Sequence, residues 1–241
     1  MGSLALGLPL YVFPRPFARL AELSGDDTFI YELGGAAMIG YAVALALGVR
    51  DGAWSPSRFV ILGAYAFVAI AFLAGFVSFA SNQISGLVVI VSLWAVVSAW
   101  AVAQILVAHR GAVAGPRDVA TWVMVILALA TLSAAVFGLG PQAPAPFAAL
   151  MGYKGTDEYV YRLAGAACFG YAVTGIQELR SLHWDDMRLP NVMAIVFNGL
   201  AFLASAFEIL AGRTTLLVFL VALAAGFFTV AIGAIIARRG R

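Results

Sequence analysis

The chain has 241 residues, of which 63% are hydrophobic and 11% charged, with a mean hydropathy of +0.98. Soluble globular domains carry about 45–50% apolar and about 25% charged residues, so this composition excludes an ordinary soluble fold and indicates an integral membrane protein. A net charge of +2 is too small to draw nucleic acid, and the Arg and Lys positions matter instead as signals of orientation.

Residues 1–13 (MGSLALGLPLYVF) are apolar but lack the basic start and small-residue cleavage site of a signal peptide. They are too short to cross a hydrocarbon layer about 30 Å thick as a helix, so a half-inserted or protein-packed segment is expected. Pro14 and Pro16 forbid a continuing helix. Phe17, Leu20 and Leu23 then recur every third residue, as in a short helix lying on the membrane surface. Residues 1–27 therefore read as an N-terminal segment at the outer face.

Asp27 precedes a long apolar run, where a carboxylate can cap the free N–H groups of a helix start. Three spans follow at about 28–49, 59–80 and 86–108, joined by RDGAWSPSR and SNQIS, and together they form a first unit, 28–110. A linking span occupies 118–139, and a Pro-rich interfacial segment, 140–160, returns the chain to a second Asp at 157. The second unit, 161–238, holds spans at about 161–179, 190–211 and 214–237, and a basic tail, 239–241, ends the chain.

The second half repeats the first. Tyr31 to Val43 reads YELGGAAMIGYAV and Tyr161 to Val173 reads YRLAGAACFGYAV, and 14–79 match 144–209 at 25 of 66 positions without a gap. A long repeat at one fixed offset fixes the architecture before any other feature does. The expected fold is an all-α integral membrane protein of seven transmembrane helices, two parallel three-helix repeats joined by a linking helix (3+1+3). One intervening span keeps the repeats parallel, related by a pseudo-two-fold axis along the membrane normal. In layout and length the chain is similar to the SWEET sugar carriers. That likeness is one of topology, because the prolines that punctuate helices in that family have no counterparts within spans one, two, five and six.

Arg50, Arg58, Arg110, Arg117, Arg180, Arg188, Arg238, Arg239 and Arg241 fall on one side of this layout. Arg15, Arg19, Lys154, Arg162 and Arg213 fall on the other, with the acidic GDD and GTDE turns. The positive-inside rule then places the N-terminus outside and the C-terminus in the cytoplasm of a cell inner (plasma) membrane.

Gly35, Ala36 and Gly40, with Gly165, Ala166 and Gly170, form small-residue patterns that let helix backbones approach closely, or alternatively line a path. Tyr41, Tyr171, Asn198 and Gln104 are mid-span polar groups that could form a site between the repeats. Glu208 is the strongest intramembrane acid, with Arg213 near enough to pair with it. Glu32 and Arg162 hold equivalent positions with opposite charge and could pair between units. Trp54 and Arg58 recur as Trp184 and Arg188, residue types that anchor a protein at the headgroup layer.

The sequence contains no HExxH, GxSxG, P-loop or GxGxxG motif, and its two histidines, His109 and His183, lie at a span end or in a loop. No catalytic residue, metal ligand or cofactor site is expected. The expected function is a non-catalytic membrane subunit that packs against the lipid bilayer and other membrane proteins. The alternative is a transporter of a small neutral or lipid-like solute, with its site between the repeats.

Overall fold

The computed structural model describes residues 2–52, 54–109 and 117–239. Arg110, Gly240 and Arg241 lie outside the described residues, as does the side chain of Arg239. Regular structure among the described residues is helical throughout. The helices are α1 (Gly2–Val12), α2 (Pro14–Leu20), α3 (Thr28–Asp51), α4 (Trp54–Ala80), α5 (Gly86–Ala108), α6 (Thr121–Leu139), α7 (Pro144–Met151), α8 (Glu158–Ser181), α9 (Trp184–Leu210) and α10 (Leu216–Arg239). A 3-10 turn, Gly140–Gln142, extends α6.

Among the described residues, six helices are long and apolar enough to cross a membrane: α3, α4, α5, α6 with its 3-10 turn, α9 and α10. Helix α8 matches α3 in length, at 24 residues, but carries Glu158, Arg162, Glu178 and Arg180 against Glu32, Arg50 and Asp51 in α3. Burial matches that difference, since 16 residues of α8 are buried against 13 of α3. A helix with that many polar groups is tolerable at membrane depth where protein surrounds it.

Helices α3 and α8 lie side by side at the centre, and each takes its neighbours from both halves of the chain. The next helix in sequence is not the main partner of either one. Helix α9 packs along α3, and α4 packs along α8, so the two halves interlock. Helices α1 and α6 flank α3 and α8, while α5 and α10 pack on the outer sides of α4 and α9.

Small residues make this close approach possible, because lipid provides no hydrophobic drive to bring helices together. A Cβ on Gly34 would sit 3.4 Å from Ala164, and one on Gly35 would sit 2.6 Å from the Gly7 carbonyl of α1. Gly165 likewise faces the Gly138 carbonyl at the end of α6, where a Cβ would come within 2.7 Å. Ala36 and Ala166 are fully buried.

Two helix starts correct the sequence expectation. Helices α4 and α9 begin at Trp54 and Trp184, about a turn or more before 59 and 190. Pro56 is accommodated in the first turn of α4, where its missing N–H would have had no intrahelical partner. Pro190 stands inside α9 rather than at its entrance, one turn after Asp186. Within segment 1–13, residues 2–12 are helical and protein-packed, with Gly7 set against Met38 and Gly35 of α3.

Candidate functional site

Three clusters tie the halves together, and a fourth site lies to one side. The first cluster is at the end of the bundle where α3 and α8 begin. Asp27 and Asp157 occupy the N-cap positions of these helices, but neither side chain caps its own helix. Each carboxylate instead reaches into the turn of the other half. Asp157 accepts the N–H groups of Ser24 and Gly25, both at 2.9 Å, and the Tyr31 hydroxyl at 2.6 Å. Asp27 accepts the N–H groups of Lys154 at 3.2 Å and Gly155 at 2.8 Å, and the Tyr161 hydroxyl at 2.8 Å.

The two sets are the same bonds exchanged between positions 130 residues apart. Gly25 and Gly155 have φ of +66° and +73°, and in that left-handed backbone glycine is the residue without strain. Both carboxylates are buried, and charge-assisted bonds from several donors make that burial tolerable. Ser24 adds a hydroxyl bond to Asp157 at 2.9 Å, and Lys154 pairs with Asp26 at 3.2 Å. In the same turn, burial holds the Tyr153 phenol above its ordinary pKa, with Glu208, Asp27 and Glu32 acting in the same direction.

The second cluster is central. The Tyr41 hydroxyl donates to the Ala167 carbonyl at 3.2 Å, and the Tyr171 hydroxyl donates to the Ala37 carbonyl at 2.9 Å. The two rings meet edge to face with centroids 4.9 Å apart. A Cβ on Gly40 would overlap the Tyr171 hydroxyl, and one on Gly170 would overlap the Tyr41 hydroxyl. Each glycine thus makes room for the tyrosine of the opposite half.

The third cluster is at the opposite end. Arg58 pairs with Asp186 at 2.9 Å, and Arg188 pairs with Asp51 at 2.9 Å, again across the halves. The pairs differ in burial. Asp186 is fully buried and also accepts the hydroxyls of Ser55 and of Ser181, the latter at 2.6 Å. The Arg58 side chain is 14% exposed and that of Arg188 48% exposed. Trp54 stacks on His109 with ring centroids 4.3 Å apart, and Trp184 borders a small surface pocket with Trp122 and Arg238.

The remaining sequence candidates fall apart in space. Tyr171 and Asn198 line one lateral cleft, Tyr41 stays in the central contact, and Gln104 lies exposed on α5. Glu208 is buried and takes a forked pair from Arg213, both bonds 2.8 Å, which closes the turn between α9 and α10. Arg162 pairs with Glu158 one turn away at 2.7 Å. The charged groups acting on Glu32 are Glu208 and Arg213, so the expected Glu32–Arg162 pair does not form.

The lateral cleft holds about 100 Å³ between α6 and α10, floored by α8 and α9. Its walls are apolar along most of their length, among them Leu127, Phe137, Phe197, Val221 and Phe228. At one end sit Glu178 and Asn191, 6% and 1% exposed. The Asn191 amide nitrogen donates to the Met187 carbonyl at 2.8 Å and to one Glu178 oxygen at 3.2 Å. Both neighbours of that nitrogen are acceptors, which settles the amide orientation and leaves the Asn191 carbonyl oxygen buried without a partner.

Sequence reasoning missed Glu178 and passed over the exchange of Asp27 and Asp157. A signal for Glu178 was available. The equivalents of Thr174, Glu178, Asn191 and Asn198 in the first half are Ala44, Gly48, Ile61 and Val68, so four polar residues stand where the other copy has none. Comparison with protein-family models, with curated proteins and with solved structures finds no match.

Proposed function

We propose that this chain is a non-catalytic integral membrane subunit, a rigid two-part scaffold that presents its outer helices to lipid and to larger membrane partners. One observation carries the reading: the halves bond to each other at both ends and at the centre of the bundle, by the same exchanged bonds at Asp27 and Asp157 and at Tyr41 and Tyr171. Asp27 and Asp157, Tyr41 and Tyr171, and Arg58 and Arg188 all find partners across the halves. A carrier with its site between the repeats has to open that interface alternately toward the two faces. Here the opening would break the buried Arg58–Asp186 pair, the bonds to the buried Asp27 and Asp157, and close glycine contacts at once. Packed interfaces of this kind deform in discrete steps at substantial cost.

In this reading α8 is the seventh span, buried among its neighbours, and the order is three spans, a linking span and three spans. The Arg58 and Arg188 end faces the cytoplasm and the Asp27 and Asp157 end faces outward, in a plasma membrane, as the basic residues direct. The outer helices expose Leu93, Val97 and Trp100 of α5 and Leu223, Phe227 and Val230 of α10, surface suited to lipid or to a partner helix.

The test is purification of the untagged protein from its own membranes under gentle detergent, followed by mass measurement of the intact particle. Recovery in fixed stoichiometry with a larger assembly is the expected result. Recovery alone, as a monomer or a small homo-oligomer, overturns the subunit reading.

A further inference from the structure

The lateral cleft is not needed to hold the halves together, and it has features that packing does not account for. Its wall on α10 runs from Leu217 to Ile232, which at 1.5 Å per residue is about 22 Å. That is longer than half of a hydrocarbon core about 30 Å thick. The cleft walls are mostly apolar, with neutral polar groups such as Asn198 along them, and the one acidic lining residue, Glu178, lies within one turn of the end of α8. Its shape and polarity are those of a slot for one long chain with one polar head.

The chemistry of the head follows from the unmet groups. Glu178 receives a single hydrogen bond, from Asn191, and among the described residues no cation pairs with it. The Asn191 carbonyl oxygen beside it receives none. Buried polar atoms left in this way are costly, and a buried carboxylate more so, unless a ligand completes them. The corner thus offers acceptors, and a carboxyl group that an incoming cation would hold in its charged form. A hydroxyl brings one donor and no charge, whereas a protonated primary amine brings three donors and the compensating charge.

The geometry points to a binding site for a long-chain amphipathic amine, its chain lying between α6 and α10 and its ammonium group held by Glu178 and Asn191. The first half has no such site, because Gly48 and Ile61 occupy the equivalent positions. Thr131, Thr174 and Asn198 offer neutral oxygens, whereas Glu178 is the one acidic side chain among the residues that line the cleft, so a cationic head is drawn to it. The site is independent of whether the chain works in an assembly or alone.

The test uses the purified full chain, with octadecylamine, octadecanol and stearic acid offered at equal mole fraction in the same detergent. Retention of one ligand per chain is read by native mass spectrometry, and the unfolding midpoint is followed in parallel. The wild-type protein is expected to retain octadecylamine at least tenfold better than octadecanol, and stearic acid least. Glu178→Gln should lose that preference for amine over alcohol while keeping its folded signal. Ala224→Trp, which fills the half-exposed wall of the cleft, should release all three chains. Equal retention of amine and alcohol by the wild-type protein overturns the proposal, whatever the variants do. So does an unchanged preference in Glu178→Gln, or undiminished amine retention in Ala224→Trp.

Discussion

Two sets of equivalent positions have met different fates. Where α3 faces α8, the halves remain alike: Tyr41 and Tyr171 bond to Ala167 and Ala37, and Gly40 and Gly170 make room for them. On the flanks the halves have diverged, and Ala44, Gly48, Ile61 and Val68 correspond to Thr174, Glu178, Asn191 and Asn198. In this contact each half supplies a tyrosine that donates to the other half and a glycine that leaves room for the other half's tyrosine. A change in one copy strands its partner in the other. Of the diverged positions, Glu178, Asn191 and Asn198 face the cleft and bond within their own half, so one copy can change alone, whereas Thr174 also donates to the Phe59 carbonyl across the halves.

The largest test of this contrast is Gly170→Leu. A side chain there must displace the Tyr41 hydroxyl and the Gly63 backbone together, and the cost is expected to reach about 3 kcal/mol or loss of folded protein. Gly199→Leu is the control, since a Cβ there meets nothing within 4 Å. Thermal unfolding in detergent, followed by circular dichroism, separates the two. A midpoint for Gly170→Leu near that of Gly199→Leu would show that the central contact is looser than described.

Arg58→Met comes next and concerns the unequal ion pairs. Removing Arg58 leaves the buried Asp186 without its counter-charge, a change expected to cost about 3–5 kcal/mol. Arg188→Met removes a half-exposed partner of Asp51 and should leave the unfolding midpoint unmoved. Equal effects would contradict the burial difference.

Asp27→Asn and Asp157→Asn should each lower stability by about 2 kcal/mol, because each amide leaves a backbone N–H or a tyrosine hydroxyl of the other half unsatisfied. The prediction lies in their likeness, which urea titration of both variants measures. The Asp157 variant should be slightly the worse, as it also loses the Ser24 hydroxyl. The smallest effects belong to Tyr41→Phe and Tyr171→Phe, at about 1 kcal/mol each. A double variant costing much more than the sum would show that the two bonds support one another.

The elements themselves were legible in the chain. The repeat offset of 130, the apolar runs and the turn glycines place α3 against α8, α4 against α9 and α5 against α10 in sequence, and the helices follow. The helix starts at Trp54 and Trp184 lie earlier than the sequence suggests, because a Pro looks like a loop signal: Pro56 falls in a first turn, where its missing N–H costs nothing, and Pro190 falls inside α9. Glu208 was legible as one half of an ion pair with Arg213, since both partners lie five residues apart.

The sequence by itself determined that the chain belongs in a membrane, that its second half copies its first, and which residues are small enough for helices to touch. These are properties of the residues and their spacing, present before any fold exists. Only the tertiary structure decided whom each group serves. Asp27 could cap its own helix or bond to the turn at Gly155, and Arg58 could pair with Asp51 or Asp186. Each side chain has more than one chemically suitable partner in the sequence, and the choice rests on which helices lie side by side. The same holds for Glu178, which turned from an acid near a helix end into the head of a cleft only when α6 and α10 closed around it.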